Sequence, residues 1–411
     1  MVKFIDGGVT APQGFKANGI WNGIKESRKT FDTALLYSDV MCEAAGMFTT
    51  NKVKAECVKL DMERIKSGKA QAVIVNVCYA NACTGAKGME IAIREGKSAA
   101  DALNLKEENV LVCSTGIIGQ QLPVEKVEAG MEKLAAGLSK EGHTNASLAI
   151  MTTDTKNKEC AVETVIGGKT VRIGAMCKGS GMIHINMGTM LSFNTTDCAI
   201  TNKMLLEALH KVVPATYNCV SVDGDTSTND TILLLANGKA GNSLIDGPGE
   251  DFDIFVEALK TLCVQMAKKI AADGEGASHM VECTVHGACC EEKARVIAKS
   301  VISSSLVKAA FFGKDANCGR ILCAMGYSGA DFDPDKVKVD FASVDSNGDY
   351  QSVTVIQDGV GLEFDEDQAL KVLEEKEIFV HVYLGEGDAE ASAWGCDLTY
   401  DYVKINGDYR S

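Results

Sequence analysis

The sequence predicts an α/β protein with two subdomains, and three observations carry that prediction. Short apolar runs with strand character, such as residues 72–75, alternate along the chain with amphipathic helical stripes. At 411 residues the chain can bury a large core and divide it between two subdomains. From about residue 286 the α/β pattern starts again, which marks a second, smaller unit.

Composition narrows the function. Apolar residues make up 46% of the chain, an ordinary share for a globular protein. A formal charge of −15 argues against nucleic acid or an anionic membrane as partner, since either needs a basic footprint. No apolar run approaches the roughly 18 residues of a spanning helix. The N-terminal Met-Val-Lys-Phe-Ile-Asp-Gly-Gly has no signal-peptide core, so the expected location is the cytoplasm. Sixteen cysteines without a Cys-x-x-Cys pair point to buried thiols in a reducing cell. The cluster His279, Cys283, His286, Cys289 and Cys290 has spacings that could bind zinc. Val281, Cys283 and Val285 alternate as on a strand, however, and packed thiols are the expectation there.

Taken in order, the first 57 residues hold glycine-rich turns and short β-like runs, among them residues 46–55. Residues 59–69 read as a short surface helix, and 72–75 as a strand buried on both faces. A second strand over 109–114 leads into Ser114-Thr115-Gly116. A strand ending in Thr-Gly exposes a hydroxyl and an unobstructed N–H together, a pair able to form an oxyanion hole. On composition alone it is an ordinary strand-to-helix turn. Pro123 opens a helix with Val124, Val127, Met131, Leu134 and Leu138 on one core stripe.

Met151-Thr152-Thr153-Asp154 ends a short apolar segment. The runs 160–166 and 169–176, joined by Gly167-Gly168, give a hairpin signal that delivers the chain to Lys178. Taken alone, Lys178 is a surface lysine. Leu205, Ala208, Leu209 and Val212 share one helix face, stopped before Pro214. The aspartate-rich run 222–231 lacks the spaced ligands of a calcium loop. A strand over 232–236 follows it, and Phe252, Phe255, Leu259, Leu262, Met266 and Ile270 define a long helix. That helix ends at Asp273-Gly-Glu275-Gly, where the macrodipole disfavours a carboxylate. Glu275 set against the local field suggests a cationic partner such as a substrate ammonium. Beyond it come a helix-like stretch over 291–310, a helix near 367–375 and a strand over 378–384. The aromatic-rich tail looks ordered to its last residue, unlike most termini.

The stretch 178–200 organises the rest: Lys178-Gly-Ser-Gly-Met-Ile, then Asn186-Met-Gly188-Thr189-Met-Leu. Gly188 has no Cβ to resist a strained geometry, and the Thr189 hydroxyl can attack the preceding carbonyl. Hydrolysis of the resulting ester leaves Thr189 as a new N-terminus. Its α-amine then titrates near 7.7–8.0 and serves as a general base. An isolated Gly-Thr is merely a turn entering a strand. Here the flanking residues resemble the self-processing site of the ornithine acetyltransferase family, the glutamate N-acetyltransferases of arginine biosynthesis. The likeness departs at His184 and Ile185, where Ala-Pro is usual, and at Gly188, where alanine is commoner. Val77-Cys78-Tyr79 stands in place of a Ser-Gly-Asn segment, and Ala316 and Cys318 in place of Pro and Trp.

The resemblance runs from about Gly7 to Ser411. It implies a layered αββα sandwich of the self-processing transferase/aminopeptidase type. The catalytic core would span 1–285, a second α/β subdomain 286–395 and a returning tail 396–411. Cleavage between Gly188 and Thr189 would give α (1–188) and β (189–411) chains in an α2β2 assembly. Thr189 becomes the nucleophile, and Thr115 with Gly116 the oxyanion pair. Thr152 or Thr153, Lys178, Thr189, Glu275, Asn406 and Ser411 become substrate contacts, and residues 222–231 the floor of the site. The implied reaction moves acetyl from N2-acetylornithine to glutamate without metal or redox cofactor, and leaves acetyl-CoA open as a co-substrate. A self-processing hydrolase or aminopeptidase uses the same chemistry with water as acceptor. A non-catalytic binding protein would keep the pocket but leave the chain uncleaved.

Overall fold

The computed structural model describes residues 1–184 and 190–408. The chain divides into two compact units. Met1–Gly179, Ile185–Tyr217 and Asp225–Met266 make the first, and Ser180–His184, Asn218–Gly224 and Ala267–Ser411 the second.

Among the described residues the first unit holds a nine-stranded sheet. Its order is Lys3–Ile5, Lys158–Ile166, Lys169–Lys178, Leu191–Thr196, Thr231–Ala236, Thr33–Phe48, Lys69–Asn76 and Val110–Ser114, with Phe15–Ile20 also paired to Thr33–Phe48. The expected hairpin is present. Lys158–Ile166 and Lys169–Lys178 pair antiparallel around Gly167 and Gly168, at φ +54° and +76°. Two consecutive positive φ values match a turn with the twist of the strands it joins.

The Lys69–Asn76 strand is buried on both faces, as its unbroken apolar run implies. Ala72 and Ile74 enter one core cluster, and Val73 and Val75 the other. It runs parallel to Val110–Ser114, whose Val110 and Val112 face the first cluster and Leu111 and Cys113 the second. The helices Gly85–Leu103 and Val124–Ala136 cover the first face with Ile91, Ala92, Val127, Met131 and Leu134. Each large side chain buried this way contributes roughly 1.5–3 kcal/mol. Two strands locked between layers are a rigid base for the loop that follows Ser114.

Among the described residues of the second unit eight strands are ordered Val360–Gly361, Tyr350–Gln357, Lys338–Val344, Glu377–Tyr383, Met280–Ala288, Ala389–Cys396, Val220–Thr226 and Ile183–His184. The boundary expected at 285/286 falls inside Met280–Ala288. That strand pairs along its length with Glu377–Tyr383 and Ala389–Cys396, so it cannot be parted there. The compact second unit accordingly takes up the chain again at Ala267. The helix-like stretch 291–310 is two helices, Glu291–Ser303 and Ser305–Phe312. They break at Ser304, which is extended and whose hydroxyl accepts the Val307 N–H. No helix among the described residues is long and apolar enough to cross a membrane.

None of the sixteen cysteines forms a disulfide among the described residues. Packing explains Cys283, whose thiol is buried, but not Cys289 and Cys290, which are exposed. His279 pairs with Asp397 at 3.2 Å, while His286 meets Glu390 at 3.0 Å and His381 at 3.1 Å. Among the described residues no three His, Cys, Asp or Glu side chains converge to hold a metal ion.

Candidate active site

The first part of the site sits where Val110–Ser114 ends. The Thr115 N–H donates to the Asn76 carbonyl at 3.1 Å, and the Ile117 N–H to that of Cys78 at 2.9 Å. Between them Gly116 takes φ +132°. A Cβ there would lie inside van der Waals contact with the Cys78 backbone, so the position accepts glycine alone. The Thr115 side chain accepts a hydrogen bond from Lys178 Nζ at 3.4 Å. Thr115, Gly116 and Lys178 are thus brought together.

Behind this loop lies a buried polar cluster with no signal in hydrophobic periodicity. Asn76 Nδ2 donates to both Glu95 carboxyl oxygens, at 3.0 and 2.9 Å, and to Ser114 Oγ at 2.7 Å. Asn229 Nδ2 donates to the Ala80 carbonyl at 2.5 Å and the Ser114 carbonyl at 2.8 Å. Asn229 comes from the aspartate-rich run, so that run does reach under the Thr115 loop. Burial pushes the Glu95 carboxyl up to about 8 against the Asn76 bond, with Asp61 adding to the rise. Asp61 is also pushed up to about 8 by burial, although it accepts the Val112 N–H at 2.8 and 3.1 Å.

A third group holds the other side of Lys178. Asp154 accepts the Thr152 N–H at 3.0 Å, the Gly179 N–H at 2.8 Å and Lys158 Nζ at 2.7 Å. Both charged side chains are closed off, with Lys158 1% and Asp154 0% exposed. Burial alone would raise the Asp154 pKa, but the ammoniums of Lys158 and then Lys178 bring it down to about 2. Thr152 is therefore fixed through its backbone.

In the second unit, the Glu275 N–H donates to the Ser180 carbonyl at 3.0 Å, and Ser180 Oγ to the Asp273 carbonyl at 2.7 Å. Glu275 is 6% exposed, and its side chain accepts from Asn406 Nδ2 at 2.7 Å. No cation pairs with Glu275 among the described residues; the neutral Asn406 amide takes that place. Gly181 packs flat on the Glu275 carboxyl, where a Cβ would collide. Asn406 rides on the helix Tyr400–Gly407, capped by Thr399, whose hydroxyl also donates to the Gly276 carbonyl at 2.7 Å. The described part of the tail is held by these two contacts. Asp223 accepts the Met182 and Ile183 N–H groups at 2.6 and 2.8 Å. Gly188, Thr189 and Ser411 lie outside the described residues.

A hydroxyl and a glycine N–H at the end of a rigid strand, with an ammonium beside them, suit an α/β enzyme of acyl transfer. The model of the ArgJ family matches residues 16–411, and the chain belongs to that family. It is 50% identical over 410 residues to the arginine biosynthesis bifunctional protein ArgJ of Caldanaerobacter subterraneus subsp. tengcongensis, covering 100% of both chains. It is 51% identical over 397 residues to ArgJ 1 of Clostridium acetobutylicum, covering 97% of this chain and 96% of the relative. Among solved structures, the ArgJ protein of Bacillus halodurans aligns at 39% identity and a TM-score of 0.49. That alignment covers 53% of this chain and 99% of the other.

Proposed function

We propose that this chain is a glutamate N-acetyltransferase that moves the acetyl group of N2-acetylornithine to glutamate in arginine biosynthesis. The observation that carries the reading is the Thr115–Gly116 pair beside Lys178, in a chain that belongs to the ArgJ family over nearly its whole length. The Gly188–Thr189 bond breaks first: Thr189 Oγ attacks the Gly188 carbonyl, the ester forms, and water hydrolyses it. The products are a 188-residue α chain and a β chain of 411 − 188 = 223 residues, assembled as α2β2.

Transfer then runs in two halves. Thr189 Oγ attacks the acetamide carbonyl and gives its proton to the α-amine of the same residue. The tetrahedral oxygen faces the Thr115 hydroxyl and the Gly116 N–H. Collapse breaks the C–N bond, and the α-ammonium returns the proton to the leaving amine of ornithine. The glutamate amine next attacks the acetyl ester, and Thr189 Oγ regains its proton. Lys178 holds a substrate carboxylate. Glu275, Asn406 and Ser411 hold the amino-acid substrate's polar end, with Thr152 or Thr153 also in contact. No step uses a metal or redox cofactor. The curated relatives carry the word bifunctional in their names, which supports a second acetyl donor, and acetyl-CoA is the one proposed. The cytoplasm is the proposed location.

Denaturing mass spectrometry should find the two fragments, and Thr189→Ala should leave one chain without transfer activity. N2-acetylornithine alone should acetylate the β chain and release one equivalent of ornithine per site. Glutamate should then restart turnover with parallel double-reciprocal lines. Steady ornithine release without glutamate, at the rate seen with it, would identify a hydrolase instead.

A further inference from the structure

A lysine with 1% of its side chain exposed needs a reason, since burying an ammonium is costly unless it is paired. Lys158 opens the strand Lys158–Ile166, and the strand register places it opposite Cys177, one residue before Lys178. Its ammonium reaches Asp154 Oδ1 at 2.7 Å, the same oxygen that accepts the Gly179 N–H at 2.8 Å. The carboxylate therefore lies close under Lys178, near enough for the two charges to act on each other. Yet Lys178 makes no ion pair among the described residues and donates only to the Thr115 hydroxyl.

We propose that Lys158 is a positioning residue for substrate recognition: it neutralises Asp154, so that the Lys178 charge is left to take a substrate carboxylate. The inference rests on the acetyl-transfer reading. Charge accounting gives the reason. Lys158 and Asp154 cancel, so the buried carboxylate beneath Lys178 is already matched by another ammonium. Without Lys158, Asp154 has one ammonium in reach, and Lys178 would turn to it. The same carboxylate anchors the backbone of Thr152 and Gly179, so the pair fixes the loop as well as the charge.

The test compares N2-acetylornithine with its carboxamide, N2-acetylornithinamide, as acetyl donors to glutamate. The wild-type enzyme should prefer the carboxylate donor. Lys158→Met should lower that preference about tenfold or more, the worth of a lost charge-assisted contact, through KM rather than kcat. The double variant Asp154→Asn/Lys158→Met should restore it, because a neutral amide does not compete for Lys178. Asp154→Asn alone should keep a preference at least as strong as wild type, which keeps the idea testable if Lys158→Met does not fold. A pair with a merely structural role would slow both donors equally. Equal slowing in Lys158→Met, or loss of preference in Asp154→Asn, would overturn the inference while leaving acetyl transfer intact. A wild-type enzyme that transfers no acetyl group from N2-acetylornithine would overturn the transfer reading, and this inference with it.

Discussion

Replacing Glu95 by glutamine should preserve the shape of the cluster behind Thr115 and remove one of its acids. Glu95 is fully buried, and both of its oxygens meet the Asn76 amide. Its pKa is pushed up to about 8, against an ordinary value of 4.5. Geometry agrees with a protonated acid, because Asn76 Oδ1 is a buried acceptor without a partner. Rotating the amide would let that oxygen accept the Glu95 O–H, and amide orientation is assigned from such networks. The sign follows from proton linkage. The folded chain keeps a proton that the unfolded chain gives up above pH ~4.5, so stability is fully present below that pH. It then falls by ~1.4 kcal/mol per pH unit until pH ~8. Asp61, the other buried acid of the cluster, adds its own slope in the same direction, whereas the buried thiols of Cys57 and Cys113 add none below the ordinary cysteine value of 9.0. The difference between wild type and Glu95→Gln isolates one group. Urea titrations in the Thr189→Ala background, where the chain stays whole, should show the variant gaining about 3 kcal/mol on wild type between roughly pH 5 and pH 7.5. A difference that stays flat over that range would mean that Glu95 is ionised in both states, and the protonated cluster would be wrong.

Two further outcomes test the site itself. Thr115→Ala should lower kcat by on the order of 10²-fold while KM changes less, the usual cost of one oxyanion donor; a rise in KM alone would make Thr115 a binding residue. Gly181→Ala should push the Glu275 carboxyl away from Asn406, since the new Cβ occupies its place. Losing a charge-assisted bond of this kind should raise KM for the amino-acid substrates about tenfold or more. Steady-state kinetics on the fully cleaved enzyme would expose an unchanged KM, which would detach Glu275 from binding.

What could be read from sequence was local. The stripe beginning at Val124 and the Gly167-Gly168 turn carry their own periodicity and turn chemistry, and both formed, although the helix stops at Ala136, short of Leu138. The strand Thr33–Phe48 was legible only in pieces, because Asp39, Val40 and Met41 are exposed and its register shifts between Tyr37 and Cys42. That irregularity breaks the alternation a window looks for. The boundary expected at 285/286 falls inside a strand for a different reason. Met280–Ala288 is held by partners about a hundred residues further along, and no local pattern records such a pairing. Cys78 shows a third kind of limit. It sits at φ +84° where the family resemblance expects glycine, a conformation that cysteine adopts only when its surroundings impose it. The residues of the site divide the same way. Thr115, Gly116, Lys178, Glu275 and Asn406 were found through motif context, and the structure groups the first three and, separately, the last two. Lys158, Asn76 and Glu95 were missed, since a lysine reads as surface and an asparagine as turn until a partner is known, whereas Asn229 lies in the run expected as the floor of the site. One signal was available for the first of them. Asp154 and Lys158 stand four apart, which on a helix is an ordinary surface pair. These two flank a strand start, where that spacing gives no surface contact, and an ion pair there is held by burial instead. A charged pair at helical spacing outside any helix is therefore a reason to look for a buried site.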